Sequence, residues 1–275
     1  MTEKSDQGTS PTITQVIAQL LERGAIGVVI TVVRGPGTGS KLLFDERKAA
    51  TGSLGNAELD ALATRQADEF LASHHETRMF AVSDFAPEFP SSTELLLLFE
   101  RLQPAPRLVV CGAGHVGAAL AKLGSFLGYK TTLIDDRAEF LELSNFPDEQ
   151  IELMVAADWG AAVSEAIGNG RGVSVAVVTR GHNEDERCMH AVVRADPDYA
   201  GLIGSKRRTS IVIERLREKG ASDEQLKKIH APIGLDIGAV SPEEVALAII
   251  AEIVAVRRGA TGVSLSAWRR SRKTN

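Results

Sequence analysis

The sequence predicts an α/β protein in which a parallel sheet follows a smaller α+β unit. Three observations carry this. After residue 106, short runs rich in Val, Ile and Leu alternate with helix-period stretches, the pattern of strands joined by helical crossovers. Before residue 104, strand-like runs succeed one another across glycine-rich turns, with only two helical stretches. Between them stands Pro104-Ala105-Pro106, where proline on both sides of one residue stiffens the chain and blocks helix continuation. At about 150 residues per domain, 275 residues is nearer two domains than one. The boundaries that follow are an α+β domain over 13–100, a linker over 101–106, the parallel-sheet domain over 107–262 and a basic tail over 263–275.

In the first unit, residues 1–12 are polar and read as a frayed tail. Val16, Ile17, Leu20 and Leu21 have helical spacing, so 14–22 is a helix, stopped at Gly24. The Val- and Ile-rich stretch 25–33 is a strand. Gly35-Pro36-Gly37-Thr38-Gly39-Ser40 is a turn-rich loop. Stretches 41–45 and 49–54 form short strands, 59–71 a helix, and 79–82 and 95–99 strands on either side of a loop with Pro87 and Pro90.

In the second unit, strands are predicted at 107–111, 130–135, 151–155, 173–179 and 199–203. Helices are predicted at 115–127, 161–167, 185–194 and 207–218. Two further helices carry capping boxes, at Ser222-Asp223-Glu224-Gln225 and at Ser241-Pro242-Glu243-Glu244, the second with Pro at the first helical position. The tail from Trp268 carries Arg269, Arg270, Arg272 and Lys273, a solvated basic end.

Composition narrows the function. A chain that is 44% hydrophobic and 24% charged can bury a substantial core. Its net charge of −5 argues against general nucleic-acid binding, which needs a basic surface. Two cysteines, Cys111 and Cys188, exclude a disulfide framework and fit a reducing compartment. The polar start predicts no secretory leader, and the longest apolar run, 245–256, is interrupted by Glu252; the expectation is a cytoplasmic protein with no membrane role.

Gly112-Ala113-Gly114-His115-Val116-Gly117 is a G-x-G-x-x-G fingerprint placed between a strand and a helix, the context that gives it meaning. Gly112 permits the tight turn, Gly114 lets backbone approach a pyrophosphate, and Gly117 lets the helix pack close to the strand. The helix N-terminus adds N–H groups and positive dipole. Asp135 and Asp136 end the next strand, Asp135 standing 23 residues after Gly112, near the spacing of about 20 expected of a carboxylate on a ribose hydroxyl. The domain therefore reads as Rossmann-like, and NAD is the dinucleotide such a carboxylate would favour. The bland alternative is a Rossmann-shaped domain that keeps its glycines for packing alone.

In the strand order 3-2-1-4-5 the first and fourth strands are neighbours and their helices leave on opposite faces, opening a crevice at their carboxyl ends. Into it run the fingerprint, then Thr179-Arg180-Gly181-His182, then Gly204-Ser205-Lys206-Arg207-Arg208. The loop from His230 to Gly238, with Asp236, is placed to fold over the same opening. Arg180, Lys206 and Arg207 suit an oxyanion, and His115, His182 and His230 suit hydrogen bonding or proton exchange, with Asp185 and Asp236 to orient them. No histidine pair has metal-ligand spacing, so no metal site is expected. There is no G-x-S-x-G elbow, H-E-x-x-H, Walker loop or C-x-x-C. The crevice reads as a binding site without an evident catalytic engine.

Four stretches occur in one order: 111–117, 179–182, Gly201-Leu202-Ile203-Gly204-Ser205-Lys206-Arg207 and Pro232-Ile233-Gly234-Leu235-Asp236-Ile237-Gly238. With the closing stretch from Pro242 to Gly259, they resemble the xanthine dehydrogenase accessory proteins, the XdhC/CoxI family. The resemblance spans nearly all of 107–259. It implies a maturation factor that binds molybdenum cofactor (molybdopterin), holds it while its terminal sulfur ligand is installed, and delivers it to a molybdenum hydroxylase such as xanthine dehydrogenase. It also implies a homodimer, and a cysteine desulfurase as a second partner. The candidate cofactor-binding residues, read from the fingerprint, its spacing and the crevice loops, are Gly112, Gly114, His115, Gly117, Asp135, Asp136, Thr179, Arg180, Gly181, His182, Ser205, Lys206, Arg207 and Asp236. Where relatives carry a glycine run followed by Cys and Glu, this chain has Gly52-Ser53-Leu54-Gly55-Asn56-Ala57-Glu58, with no thiol. An NAD-dependent oxidoreductase and an NAD-sensing module are the competing readings.

Overall fold

The structure is a computed structural model that describes residues 12–73, 75–90 and 92–266. The polar tail before Thr12, His74 and the basic stretch from Trp268 lie outside the described residues. The chain divides into two compact units between Pro104 and Ala105.

The first unit is an antiparallel sheet in the order β3-β2-β1-β5-β4. Its strands are β1 (Gly27–Arg34), β2 (Lys41–Asp45), β3 (Ala50–Ser53), β4 (Thr77–Ala81) and β5 (Leu96–Leu102). Alternation along β1 decides which helix covers which face. Val28, Ile30 and Val32 point into a core with Leu59, Ala63, Ala67 and Phe70 of α2 (Ala57–Ala72). Val29 points the other way and packs with Leu20 of α1 (Ile13–Glu22). Helix α2 starts at Asn56, whose side chain accepts from the N–H groups of Glu58 and Leu59.

The second unit is a six-stranded parallel sheet in the order β11-β10-β9-β6-β7-β8. The strands are β6 (Arg107–Cys111), β7 (Lys130–Asp135), β8 (Ile151–Val155), β9 (Val173–Val177), β10 (Tyr199–Leu202) and β11 (Ile229–His230). Counted from β6, this is the order 3-2-1-4-5 with a sixth strand added. That sixth strand falls at the start of the stretch expected to be loop, and it exists through pairing with β10. The helices are α3 (His115–Phe126), α4 (Trp159–Ile167), α5 (His182–Ala195), α6 (Lys206–Glu218), α7 (Asp223–Lys227) and α8 (Pro242–Arg257). Between β7 and β8 the chain crosses by two single 3-10 turns, Ala138–Phe140 and Leu143–Asn145, in place of a helix.

The central strands β6 and β9 are buried on both faces and are almost continuously apolar. Leu108 and Val110 of β6 face a core with Leu120 and Ala121 of α3 and Ala246, Ile249 and Ile253 of α8. Val109 and Cys111 face the opposite core, with Val163 of α4, Met189 and Val192 of α5, and Val212 and Leu216 of α6. So α3 and α5, the helices that follow the neighbouring strands β6 and β9, lie on opposite faces. The carboxyl ends of β6 and β9 are the switch point.

Candidate functional site

The glycine turn is built as the fingerprint requires. Gly112 sits at φ +111°, and a Cβ there would lie 2.7 Å from the Val178 carbonyl oxygen and 2.9 Å from the Thr179 Cα. A Cβ on Gly117 would lie 1.8 Å from the Gly112 carbonyl oxygen, so α3 can approach β6 only because this residue is glycine. Gly114, by contrast, has φ −65°, and a Cβ there would meet nothing within 4 Å. The open side of the turn is therefore at Gly114 and His115, the exposed first residue of α3.

Asp135 ends β7 and is 1% exposed. Its carboxylate accepts from Ala113 N at 2.7 Å, Arg137 N at 3.0 Å, Arg137 Nε at 2.9 Å and Arg137 Nη2 at 3.0 Å. Those donors use the acceptor capacity of an ionised carboxylate. Burial alone would raise its pKa, but the bonds from Arg137 and Ala113 outweigh that and hold the carboxyl below the usual range. The Arg137 guanidinium also lies 3.8 Å over the Phe140 ring. Asp135, one of the two carboxylates that the spacing offers to a ribose, is thus bonded to the glycine turn through Ala113.

Asp136, one residue on, points to the crevice. Its two oxygens receive Arg180 Nη1 and Nη2 at 3.1 and 3.0 Å, a bidentate pair. Asp136 follows β7 and Arg180 follows β9, so the pair spans the two strands that flank β6. Arg180 also lines a cavity of about 380 Å³ with Gly181, His182, Ser205, Arg207, Arg208, Ile211 and Arg215. Beneath this cavity Asp185 is fully buried and accepts from Thr179 Oγ1 at 2.6 Å and from Arg208 Nε and Nη2 at 3.1 and 2.5 Å. Burial pushes the Asp185 carboxyl up, and the Thr179 and Arg208 bonds offset this in part. Arg215 is held by Glu186 at 2.8 Å. Ser205 caps α6 by accepting from Arg208 N.

Arg180, Gly181, His182, Ser205 and Arg207 therefore meet around one cavity, with Thr179 behind it, while Gly112, Gly114, His115 and Gly117 form the adjoining turn. Lys206, at the start of α6, and Asp236, on the loop after β11, are exposed and do not line the cavity. That loop is tied down by Gly234 N on Glu252 Oε2 at 2.8 Å and Leu235 N on the Ala248 carbonyl at 3.1 Å. His230 is placed elsewhere. It stacks on Tyr199, with 4.6 Å between rings, stands 3.3 Å from Glu252, and lines a separate cavity with Asp196, Asp198 and Lys228. Cys111 and Cys188 are fully buried, and burial pushes the Cys188 thiol far up. Among the described residues no group of three or more His, Cys, Asp or Glu is placed to hold a metal ion. Sequence reasoning brought Arg208 to the crevice without giving it a role, and did not select Ile211 and Arg215. Their signal was helical spacing, since they share the face of α6 that looks into the cavity.

A six-stranded parallel sheet with a glycine turn at its switch point and an arginine-lined cavity beside it defines a Rossmann-type domain suited to anions. Residues 108–253, more than half of the chain, match the XdhC Rossmann domain, and the chain belongs to the XdhC family of xanthine dehydrogenase accessory proteins. It is 36% identical over 157 residues to the protein YqeB of Escherichia coli (strain K12), covering 57% of this chain and 28% of that one. It is 28% identical over 172 residues to a probable xanthine dehydrogenase subunit of Bacillus subtilis (strain 168), covering 62% and 48%. It is 26% identical over 155 residues to the molybdenum cofactor insertion chaperone PaoD of Escherichia coli (strain K12), covering 56% and 41%. The chain thus spans about half or less of the length of these relatives. A solved structure from Bacillus halodurans, described as a xanthine dehydrogenase, shares the fold at TM-score 0.50 and 18% identity, over 92% of this chain and 98% of that one.

Proposed function

We propose that the protein binds molybdenum cofactor as cargo at the carboxyl edge of its parallel sheet and delivers it to a molybdenum hydroxylase of the xanthine dehydrogenase type. The observation that carries this is the convergence of Arg180, Arg207, Arg208 and Arg215 on one cavity. A phosphate-bearing pterin is an anion rich in hydrogen-bonding groups, and guanidinium forks match its oxygens in charge and shape. Membership of the XdhC family and likeness to PaoD support both the cargo and the class of partner. The carrier acts by holding and releasing. Arg208 is held by Asp185 and Arg215 by Glu186, so both side chains are fixed at the cavity wall before cargo arrives. In this reading a cysteine desulfurase supplies the terminal sulfur ligand while the cargo is held, and two copies act together in the cytoplasm.

NAD is a weaker occupant of the crevice, because the carboxylate placed for an adenosine ribose is already saturated by Ala113 and Arg137. The test is to purify the protein from molybdenum-replete cells and measure molybdenum together with the fluorescent oxidised pterin. Both are expected in stoichiometric amounts, and Arg180→Ala is expected to weaken retention about tenfold. Protein free of both after incubation with released cofactor would reject the reading.

A further inference from the structure

Two places at the carboxyl edge can take an anion, the glycine turn and the arginine cavity, and they are not equally free. At the turn, the Ala113 N–H that would face a pyrophosphate is already bonded to Asp135 at 2.7 Å. At the start of α5 the axial position is also filled. A Cβ on Gly181 would lie 2.1 Å from Glu184 Oε2, so the helix covers its own N-terminus with a carboxylate. The guanidinium groups are differently disposed. Arg208 and Arg215 are held by carboxylates from behind, Asp185 and Glu186. Arg207 is exposed, and no hydrogen bond or ion pair holds it among the described residues. Arg180 has its fork turned to Asp136, whose carboxylate has the charge and the paired oxygens of a phosphate. The Arg180 and Asp136 side chains are 48% and 30% exposed, so the pair is wet and exchangeable.

We propose that the anionic group of the ligand, a phosphate or pyrophosphate ester, is taken by the arginine cavity between α5 and α6, and that Asp136 occupies the Arg180 fork until that group arrives. The glycine turn then serves to pack α3 against β6. Asp136 opposes binding, the reverse of a ribose-binding carboxylate. This rests on the reading that the crevice holds an anionic ligand, and does not depend on that ligand containing molybdenum.

Calorimetric titration of the full chain with inorganic pyrophosphate at low ionic strength tests it. Asp136→Asn keeps the size of the side chain and removes its charge, and is expected to tighten binding by up to about fivefold, the worth of an exposed ion pair. Arg207→Ala is expected to weaken binding about tenfold, and adding Arg180→Ala to Asp136→Asn to abolish the gain. Gly114→Ala reads the competing location, because its methyl would enter the space above the turn without a clash. Binding that survives Gly114→Ala and falls with Arg207→Ala supports the cavity; the opposite pattern overturns it. Affinity unchanged or lowered in Asp136→Asn overturns the role of Asp136. No pyrophosphate binding by either protein overturns the cavity as an anion site, and stoichiometric molybdenum and pterin in the same preparation would leave the carrier reading standing without it.

Discussion

Asp135 and Asp136 are neighbours in sequence and are held differently. Asp135, the last residue of β7, goes inward to Ala113 and Arg137, while Asp136, just past the strand, receives the Arg180 fork and stands 3.8 Å from Arg137 Nε. Asp135 is held below its usual pKa, so its stabilisation is present above the unfolded value of about 3.9 and fades as pH falls through the lower folded value. Asp135→Asn is therefore expected to cost about 2 kcal/mol at pH 7 and progressively less in acid, read by denaturant unfolding at pH 7 and pH 3. Asp185 runs the other way. Burial raises its pKa, yet removing its charge leaves Arg208 without its carboxylate, so Asp185→Asn is expected to cost about 1–3 kcal/mol and to loosen pyrophosphate binding with it. At this scale the sequence reported residue types at strand ends and little more. Spacing offered both Asp135 and Asp136 to a ribose, and spacing cannot see that Arg137, close behind, folds back onto Asp135.

At the scale of elements, the fingerprint's glycines separate by what surrounds them. Gly117→Ala would set a methyl 1.8 Å from the Gly112 carbonyl, so α3 must move off β6. We expect a loss of about 3 kcal/mol or more, against a change within about 0.5 kcal/mol for Gly114→Ala, measured as paired melting curves. The alternation of strand and helix after residue 106 was legible because the central strands β6 and β9 are buried on both faces and read as short apolar runs between helix-period stretches. What escaped was set by partners. β11 is a two-residue strand that exists because Ala200 and Gly201 of β10 offer it a register, and no local propensity announces it. Helix α5 begins at His182, three residues earlier than its apolar spacing predicts, because Gly181 serves as the N-cap. The arginine face of α6 was readable in principle as Arg208, Ile211 and Arg215, one side of a helix over two turns.

At the scale of the molecule, each unit has its own core. One is built on Ile30, Phe70 and Phe99, the other on the two faces of the parallel sheet. A fragment of residues 105–266 is therefore expected to fold cooperatively and to retain pyrophosphate binding, checked by circular dichroism and calorimetry; a fragment without a cooperative transition would show that the second unit leans on the first. The pairing of α3 with α8 has a further consequence. Helix α3 is made early in this unit, and α8 is the last described helix of the chain. Leu120 and Ala121 share their core with Ala246, Ile249 and Ile253. During synthesis the apolar back of α3 must therefore wait for residues 242–257 to emerge before it is covered. The core behind the glycine turn is complete only when α8 packs against α3. Until that moment the nascent unit presents a greasy surface to the cell, and a message cut short before residue 242 would yield a product bound for aggregation or proteolysis.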